Sequence, residues 1–320
     1  MHLYQKHQTL ILDGIPCENE YVQHAKLYAP CRGLKKSLRT LHEHTALPGK
    51  NIWYEDWKQG LAKYDTVIIF DGIRGGDVVE YIHEHNPKAR IIIYYVNKFR
   101  RGTRNDPRNF KALPCELWSF DQGDCAREGM RHNVFCYDHV FLDARNKEAF
   151  ETSRLSKGTA YDAFFIGVDK SRLDRLLALQ QLLCKQNYTT KFILRKAARG
   201  SYANLSPQAK EILVDKDVAY SEIINYISQS KCIVELQDPG QTGLTLRAME
   251  ALFFRKKLLT DNREVLHCDF YRQENIFVWG LDEEQRLADF LHTPYQEVPA
   301  EVSRRYTWEA WLDRFFAAVM

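Results

Sequence analysis

The chain has little of what would place it in a specialised class. No unbroken apolar run exceeds six residues, Ile91–Val96 being one, whereas a membrane-spanning helix needs roughly 20. The opening stretch MHLYQKHQTLILDGIP holds too short an apolar core for a secretory signal, and Asp13 interrupts it. An excess of charge of one sign is also missing: 45 Lys and Arg face 42 Asp and Glu, a formal net charge of +3. That excludes a chain coated in basic groups for general nucleic-acid binding, though not a local patch. The eight cysteines form no CxxC pair, so neither a zinc ribbon nor a disulfide framework is expected. Reduced thiols and a cytoplasmic location are the expectation, with Cys232 a buried free thiol in an apolar strand.

What is present is repetition of a short apolar strand, a polar turn and an amphipathic helix. Strands are expected at Thr9–Leu12, Thr66–Phe70, Arg90–Val96 and Glu116–Phe120, with helices over 78–85 and 121–129. Apolar residues run continuously through the central strands, which implies parallel sheets covered on both faces. The polar stretch Asp143–Ala160 reads as a linker. A second series follows: strands at Asp162–Ile166, Lys191–Arg195, Lys231–Leu236, Lys257–Thr260 and Asn275–Trp279, with helices over 171–186, 220–229, 243–254 and 283–291. An aromatic helix over 308–316 closes the chain. The fold class expected is α/β, two Rossmann-like domains over 1–150 and 151–320 facing across a cleft, the last helix suited to packing back on the first. Ligands in such sheets bind beyond the carboxyl ends of the strands.

The most informative segment is QDPGQTGLTLRAMEALFFRKKLLTDN, Gln237–Asn262. It leaves a strand, turns through Gly240, Gln241, Thr242 and Gly243, and enters a helix near Thr245. Gly243 would let a ligand approach the backbone. Free N–H groups and the positive helix end suit a pyrophosphate, Arg247 adds charge in the first turn, and Glu250 one turn on could accept from ribose hydroxyls. An ordinary strand–turn–helix with Thr245 as N-cap fits the same residues. Gly167–Arg172 (GVDKSR) is a second phosphate candidate: Gly167 for a tight turn, Lys170 and Arg172 as cations. Tyr220 is placed to flank a base, although packing explains it equally.

In the first domain DGIRGGD, residues 71–77, follows a buried strand. Asp71 is the candidate general base, with Asp13 and Asp121 as rivals at other strand ends. Asp77 is a second candidate base on the same segment, but reads rather as an N-cap. Arg74, Gly75 and Lys98 are candidate acceptor contacts, Lys98 opening the basic run KFRRGTRNDPR. Between Tyr21 and His44 lie Lys26, Arg32, Lys35, Lys36 and Arg39 against one acid, Glu43. That segment suits either solvent or an anionic lipid surface.

These pieces together resemble GT-B glycosyltransferases of bacterial capsule, exopolysaccharide and lipopolysaccharide synthesis. QTGLTLRAMEAL…KKLLTDN carries the resemblance, with FDGIRGGD, WSFDQGDCAREG, YDAFFIGVDKSRLDRLLAL and YTWEAWLDRF in matching order from about residue 50 onward. The resemblance implies a nucleotide-sugar donor held by the turn and Glu250, and a glycan or lipid-linked acceptor. It also implies peripheral membrane association at the inner face, while the +3 charge and the lack of nucleic-acid-binding motifs leave no nucleic-acid partner expected. Retaining members of that fold carry two glutamates eight positions apart. Thr242 stands where the first would be, which points to inversion. No cofactor and no metal are expected: Asp215-Lys216-Asp217 has the letters of a DxD motif without its context. The rival expectations are a sugar-nucleotide 2-epimerase on the same architecture and a non-catalytic nucleotide- or glycan-binding protein.

Overall fold

The computed structural model describes residues 2–317 except 15, 17, 46, 72, 74, 138–143, 156–159, 199 and 201. The chain divides into two compact units. One runs to Val134 and takes in the chain again from Glu309; the other is Phe135–Trp308.

The first unit is built on six parallel strands. In chain order its elements are β1 (Thr9–Leu12), β2 (Val22–Ala25), α1 (Gly33–Glu43), β3 (Thr66–Phe70), α2 (Asp77–His85), β4 (Arg90–Tyr95), β5 (Glu116–Ser119), α3 (Gln122–Glu128) and β6 (Arg131–His132). The strand order is β2-β1-β3-β4-β5-β6. Every residue of β1 and β3 is buried, which is why TLIL and TVIIF read as unbroken apolar runs. One face packs Leu10, Val67, Ile69, Ile91 and Ile93 against Val78 and Ile82 of α2. The returning chain covers other parts of the sheet: Trp311 packs tilted on Phe70 and edge-to-face on Tyr94 and Phe315, with ring centroids 5.8, 5.3 and 4.9 Å away. Asn133 Nδ2 donates to the Trp311 carbonyl at 3.0 Å.

The second unit has its own six parallel strands. Its elements are α4 (Ala144–Leu155), β7 (Tyr161–Val168), α5 (Leu173–Lys185), β8 (Thr190–Arg195), α6 (Pro207–Ile212), β9 (Leu213–Val214), α7 (Tyr220–Ser228), β10 (Ser230–Glu235), α8 (Leu246–Phe253), β11 (Lys257–Thr260), β12 (Ile276–Val278), α9 (Arg286–His292) and α10 (Ala300–Arg304). The helix that closes the chain, α11 (Trp308–Ala317), lies from Glu309 on in the first unit. The strand order is β12-β11-β10-β7-β8-β9, the doubly wound arrangement with its reversal between β7 and β10. Leu176, Leu179 and Leu183 of α5 form the buried stripe of that helix. Cys232 is a fully buried free thiol in β10, and burial pushes it up to about 12.

Two features differ from the sequence expectation. Most of the polar stretch expected to link domains, Ala144–Leu155, is a helix, α4, which packs on α7 inside the second unit, while 143 and 156–159 lie outside the described residues. The division therefore falls after Val134, where the expectation put it at 150. Phe150 and Ser153 are buried on α4, and these two positions among polar neighbours give too weak a pattern to read. Among the described residues no helix is long and apolar enough to cross a membrane.

Candidate functional site

The reversal of strand order in the second sheet places the carboxyl ends of β7 and β10 side by side. Those two ends carry the two segments singled out in the sequence. Lys170 Nζ stands 3.8 Å from Asp238 Oδ2. Arg175, on the first turns of α5, donates to the Gln237 carbonyl at 3.1 Å and pairs with Asp261 beyond β11. Arg172 donates to the Val168 carbonyl at 3.3 Å, and its backbone N–H bonds Asp169 Oδ1 at 3.0 Å. Burial pushes the Arg172 guanidinium down from its usual range, while the charges of Asp238 and Glu235 oppose the shift. Three cations thus crowd one strand-end junction.

Gly167 contributes differently from the turn expected of it. It lies inside β7, not beyond it. A Cβ there would stand 3.3 Å from Arg172 Nη1 and 3.1 Å from Phe165 Cζ. The missing side chain makes room for the guanidinium.

The loop from β10 to α8 is held at both ends. Gly240 takes the left-handed conformation, φ 75°, and the backbone N–H of Gln241 donates to the Asp238 carbonyl at 2.9 Å. Gly243 is buried, and its carbonyl accepts from Gln237 Nε2 at 3.0 Å and Asn262 Nδ2 at 3.4 Å. Gln241 and Thr242 remain half-buried. Thr245 is the N-cap, accepting from the Arg247 N–H at 3.1 Å. Its own hydroxyl donates to buried Glu235 at 2.5 Å, and Thr260 donates to the other oxygen at 2.6 Å. A carboxylate under the cap fixes the first turn of α8, and burial raises the Glu235 carboxyl.

Glu250 is placed otherwise than expected. It is fully buried, its carboxylate paired with Arg247 and accepting from Tyr220 Oη at 3.2 Å. Tyr220 in turn is 2.7 Å from the hydroxyl of Tyr137. Burial lifts Glu250 to about 7 against the opposing Arg247 charge and Tyr220 hydrogen bond. Its oxygens are therefore already engaged, where the sequence reading had them open to ribose. Tyr220 is likewise turned to Tyr137 and Glu250, and burial pushes its phenol far up.

In the first sheet the order reverses between β1 and β3, so Asp13 and Asp71 flank the point where such sheets bind ligands. Asp71 is half-buried, and its Oδ2 accepts from the backbone and side-chain N–H groups of Asn97 at 3.0 and 3.2 Å. Asp13 sits at φ 56°, bonded to the Leu27 N–H at 3.3 Å and 3.9 Å from Lys26 Nζ. Asp121 is fully buried and caps α3 through the Asp124 N–H at 2.9 Å; that position closes it to an acceptor. Asp77 is not the N-cap of α2, which is Gly76. Its carboxylate instead accepts from Tyr54 Oη at 2.6 Å, with Lys50 Nζ 3.6 Å away. Gly75 and Lys98 are half-buried, and Arg74 lies outside the described residues.

Sequence reasoning missed Arg175, Glu235, Gln237, Asp261 and Tyr137. Only Glu235 left a signal, a lone carboxylate closing an apolar strand. Two hollows of the second unit lie away from all the predicted residues: one of about 450 Å³ beside Phe150, Arg154 and Tyr295, another of about 980 Å³ beside Leu177, Tyr188 and Gln208. Among the described residues no group of three or more His, Cys, Asp or Glu could hold a metal ion.

No protein-family model and no curated protein matches the chain. Solved structures give loose likenesses. An alpha-glucosyltransferase in complex with UDP and a 13-mer DNA containing a central A:G mismatch aligns at a TM-score of 0.46 and 11% identity, covering 93% of this chain and 79% of its own. A putative UDP-N-acetylglucosamine 2-epimerase from Listeria monocytogenes aligns at 0.37 and 11%, covering 82% and 77%. The apo D-lactate dehydrogenase of Escherichia coli aligns at 0.23 and 15%, covering 97% and 95%. The fold stands on the two sheets themselves: an α/β protein of two parallel six-stranded units.

Proposed function

We propose that the chain is a sugar-nucleotide-dependent glycosyltransferase of the GT-B kind, acting on a glycan or lipid-linked acceptor in bacterial surface polysaccharide synthesis. The observation that carries this reading is the convergence of Lys170, Arg172 and the Thr245-capped end of α8 at the strand reversal of the second sheet. A nucleoside diphosphate is the ligand class such a junction suits, since cations and helix N–H groups both favour phosphate oxygens. Gln241, Thr242 and Gly243 line its backbone approach, and Gly167 leaves space for Arg172. Glu250 serves this site by holding Arg247 and Tyr220 in place. As the glycosidic bond to the diphosphate breaks, the same cations and N–H groups stabilise the charge on the leaving oxygen.

In the first unit Asp71 acts as the base, taking the acceptor hydroxyl proton while that oxygen attacks the anomeric carbon. The Asn97 hydrogen bonds orient its carboxylate for this step. Attack opposite the diphosphate inverts the centre. Gly75 and Lys98, near the same strand ends, meet the acceptor, and the protein works in the cytoplasm.

Incubation with sugar nucleotide, with and without acceptor, tests the reading. Transfer that needs an acceptor supports it. Turnover of donor alone, giving an epimerised sugar nucleotide, assigns the chain to the 2-epimerase reading. Asp71→Asn is expected to keep nucleotide affinity and lower turnover by about 10²-fold or more; full activity would remove Asp71 as base.

A further inference from the structure

Three helices of the second unit end at one hollow. Arg154 stands on the last turn of α4, Arg304 on the last turn of α10, and Arg255 directly follows the C-cap of α8. All three line the cavity of about 450 Å³ beside Phe150 and Tyr295. A cation near a helix C-terminus suits the local dipole, which accounts for each arginine singly. It does not account for their meeting around an open space.

Arg255 carries the clearest sign of a use beyond packing. It takes the left-handed conformation, φ 55°. The Lys256 N–H donates to the Ala251 carbonyl at 2.9 Å and the Arg255 N–H to the Leu252 carbonyl at 3.4 Å. In that helix ending the residue at this place is usually glycine, which adopts the conformation without strain. An arginine here is held against its backbone preference, as residues at ligand sites often are.

The charges of the hollow are out of balance. Against three arginines the lining holds one acid, Glu297. Glu297 pairs with Arg255, and the two side chains are 64% and 37% exposed. Arg154 lies 5.6 Å from the Phe150 ring centroid and 3.7 Å from Glu151, which like Glu301 of α10 stands outside the lining. Solvent-facing pairs of this kind hold their members weakly. Arg304 is exposed, with no ion-pair partner among the described residues. Hydroxyls add to the lining. Burial lifts the Tyr295 phenol above its usual range and the Glu297 charge adds to the lift, so it stays a donor. Ser303 Oγ donates to the Ala300 carbonyl at 3.2 Å and keeps its lone pairs for an incoming hydroxyl.

We infer that this hollow binds a small phosphate ester with a hydroxylated body, a sugar phosphate in class. Arg154, Arg255 and Arg304 hold the phosphate, whose oxygens match the paired N–H groups of guanidinium. Tyr295 and Ser303 meet the hydroxyls. The volume is that of a small-molecule site. The hollow lies at the far end of α8 from Thr245, about 12 Å along the helix at roughly 1.5 Å per residue, so it is separate from the strand reversal. The inference does not depend on the transferase reading.

Calorimetric titration of the full-length chain with glucose 6-phosphate, inorganic phosphate and glucose tests it. The ester is expected to bind, inorganic phosphate to bind more weakly, and glucose to give no heat. Arg304→Ala should weaken the ester about tenfold or more. Arg255→Gly should weaken it similarly at an unchanged or higher melting temperature, because glycine suits the left-handed backbone; a merely structural role for Arg255 would not give that combination. Arg172→Ala, at the strand reversal, should leave ester binding unchanged. No binding of the ester, or equal affinity in Arg255→Gly, overturns the inference. Loss of binding in Arg172→Ala overturns it too, by giving the phosphate to the strand reversal. Inorganic phosphate binding as tightly as glucose 6-phosphate would overturn the assignment of an ester.

Discussion

Tyr220 and Glu250, thirty residues apart, meet with the phenol oxygen 3.2 Å from Glu250 Oε1, while Arg247 holds the same carboxylate from one turn back on α8. Tyr137 extends this chain of contacts to α7 from another part of the unit. The start of α8 is thereby fixed from two sides: Glu235 lies beneath its cap, and Glu250 lies one turn inside.

The carboxylate network makes Glu250 costly to remove. Glu250→Ala leaves the Arg247 guanidinium, which is largely buried, without its counter-charge, a loss of about 3–5 kcal/mol. Nucleotide affinity should fall with it, because Arg247 is no longer held. Chemical denaturation and calorimetry on the variant check both. An unchanged affinity would separate Glu250 from the donor site.

Stability should also depend on pH through this group. Burial lifts Glu250 from 4.5 to about 7, so the folded chain holds this proton more tightly than the unfolded one. The contribution is fully present below about 4.5 and is lost as pH rises through 7. Denaturation midpoints taken at intervals from pH 5 to 8 should fall with rising pH from this cause, and Glu250→Gln should flatten that part of the curve. Identical slopes in the two proteins would contradict the assignment.

The returning helix is predicted to hold the first unit together. Trp311 is 1% exposed and packs on Phe70 and Tyr94. Trp311→Ala should cost about 3–5 kcal/mol. Among the described residues its indole N–H has no hydrogen-bond partner, so Trp311→Phe should cost much less. Thermal unfolding of the two variants gives the comparison, and an equal loss in both would contradict the packing account.

Much of the fold could be read from the chain because its central strands are buried on both faces. TVIIF, RIIIYY and KLLT announce themselves by continuity. The edge strand β2 did not, since only Val22 of VQHA is buried. Helix α4 passed for a linker for the same physical reason. At the site, strand ends and turn residues placed the candidates, because ligand positions in parallel sheets follow strand direction. Their partners were beyond reach. Tyr137 and Tyr220 are 83 positions apart, and Arg175 meets Asp261 across the strand ends. Such pairings depend on tertiary packing that local sequence does not encode. Gly167 was read as a turn because β7 runs two residues past Ile166. The engaged state of Glu250 had no local signature at all.

The central claim is that the strand reversal of the second sheet binds a nucleoside diphosphate. The most direct test is calorimetric titration of the chain with UDP, GDP, CDP and dTDP, repeated on Arg172→Ala. One nucleotide is predicted to bind, and the variant to bind it about 10- to 100-fold more weakly, the loss of a charge-assisted hydrogen bond. No heat with any of the four, or equal affinity in the variant, would contradict the account.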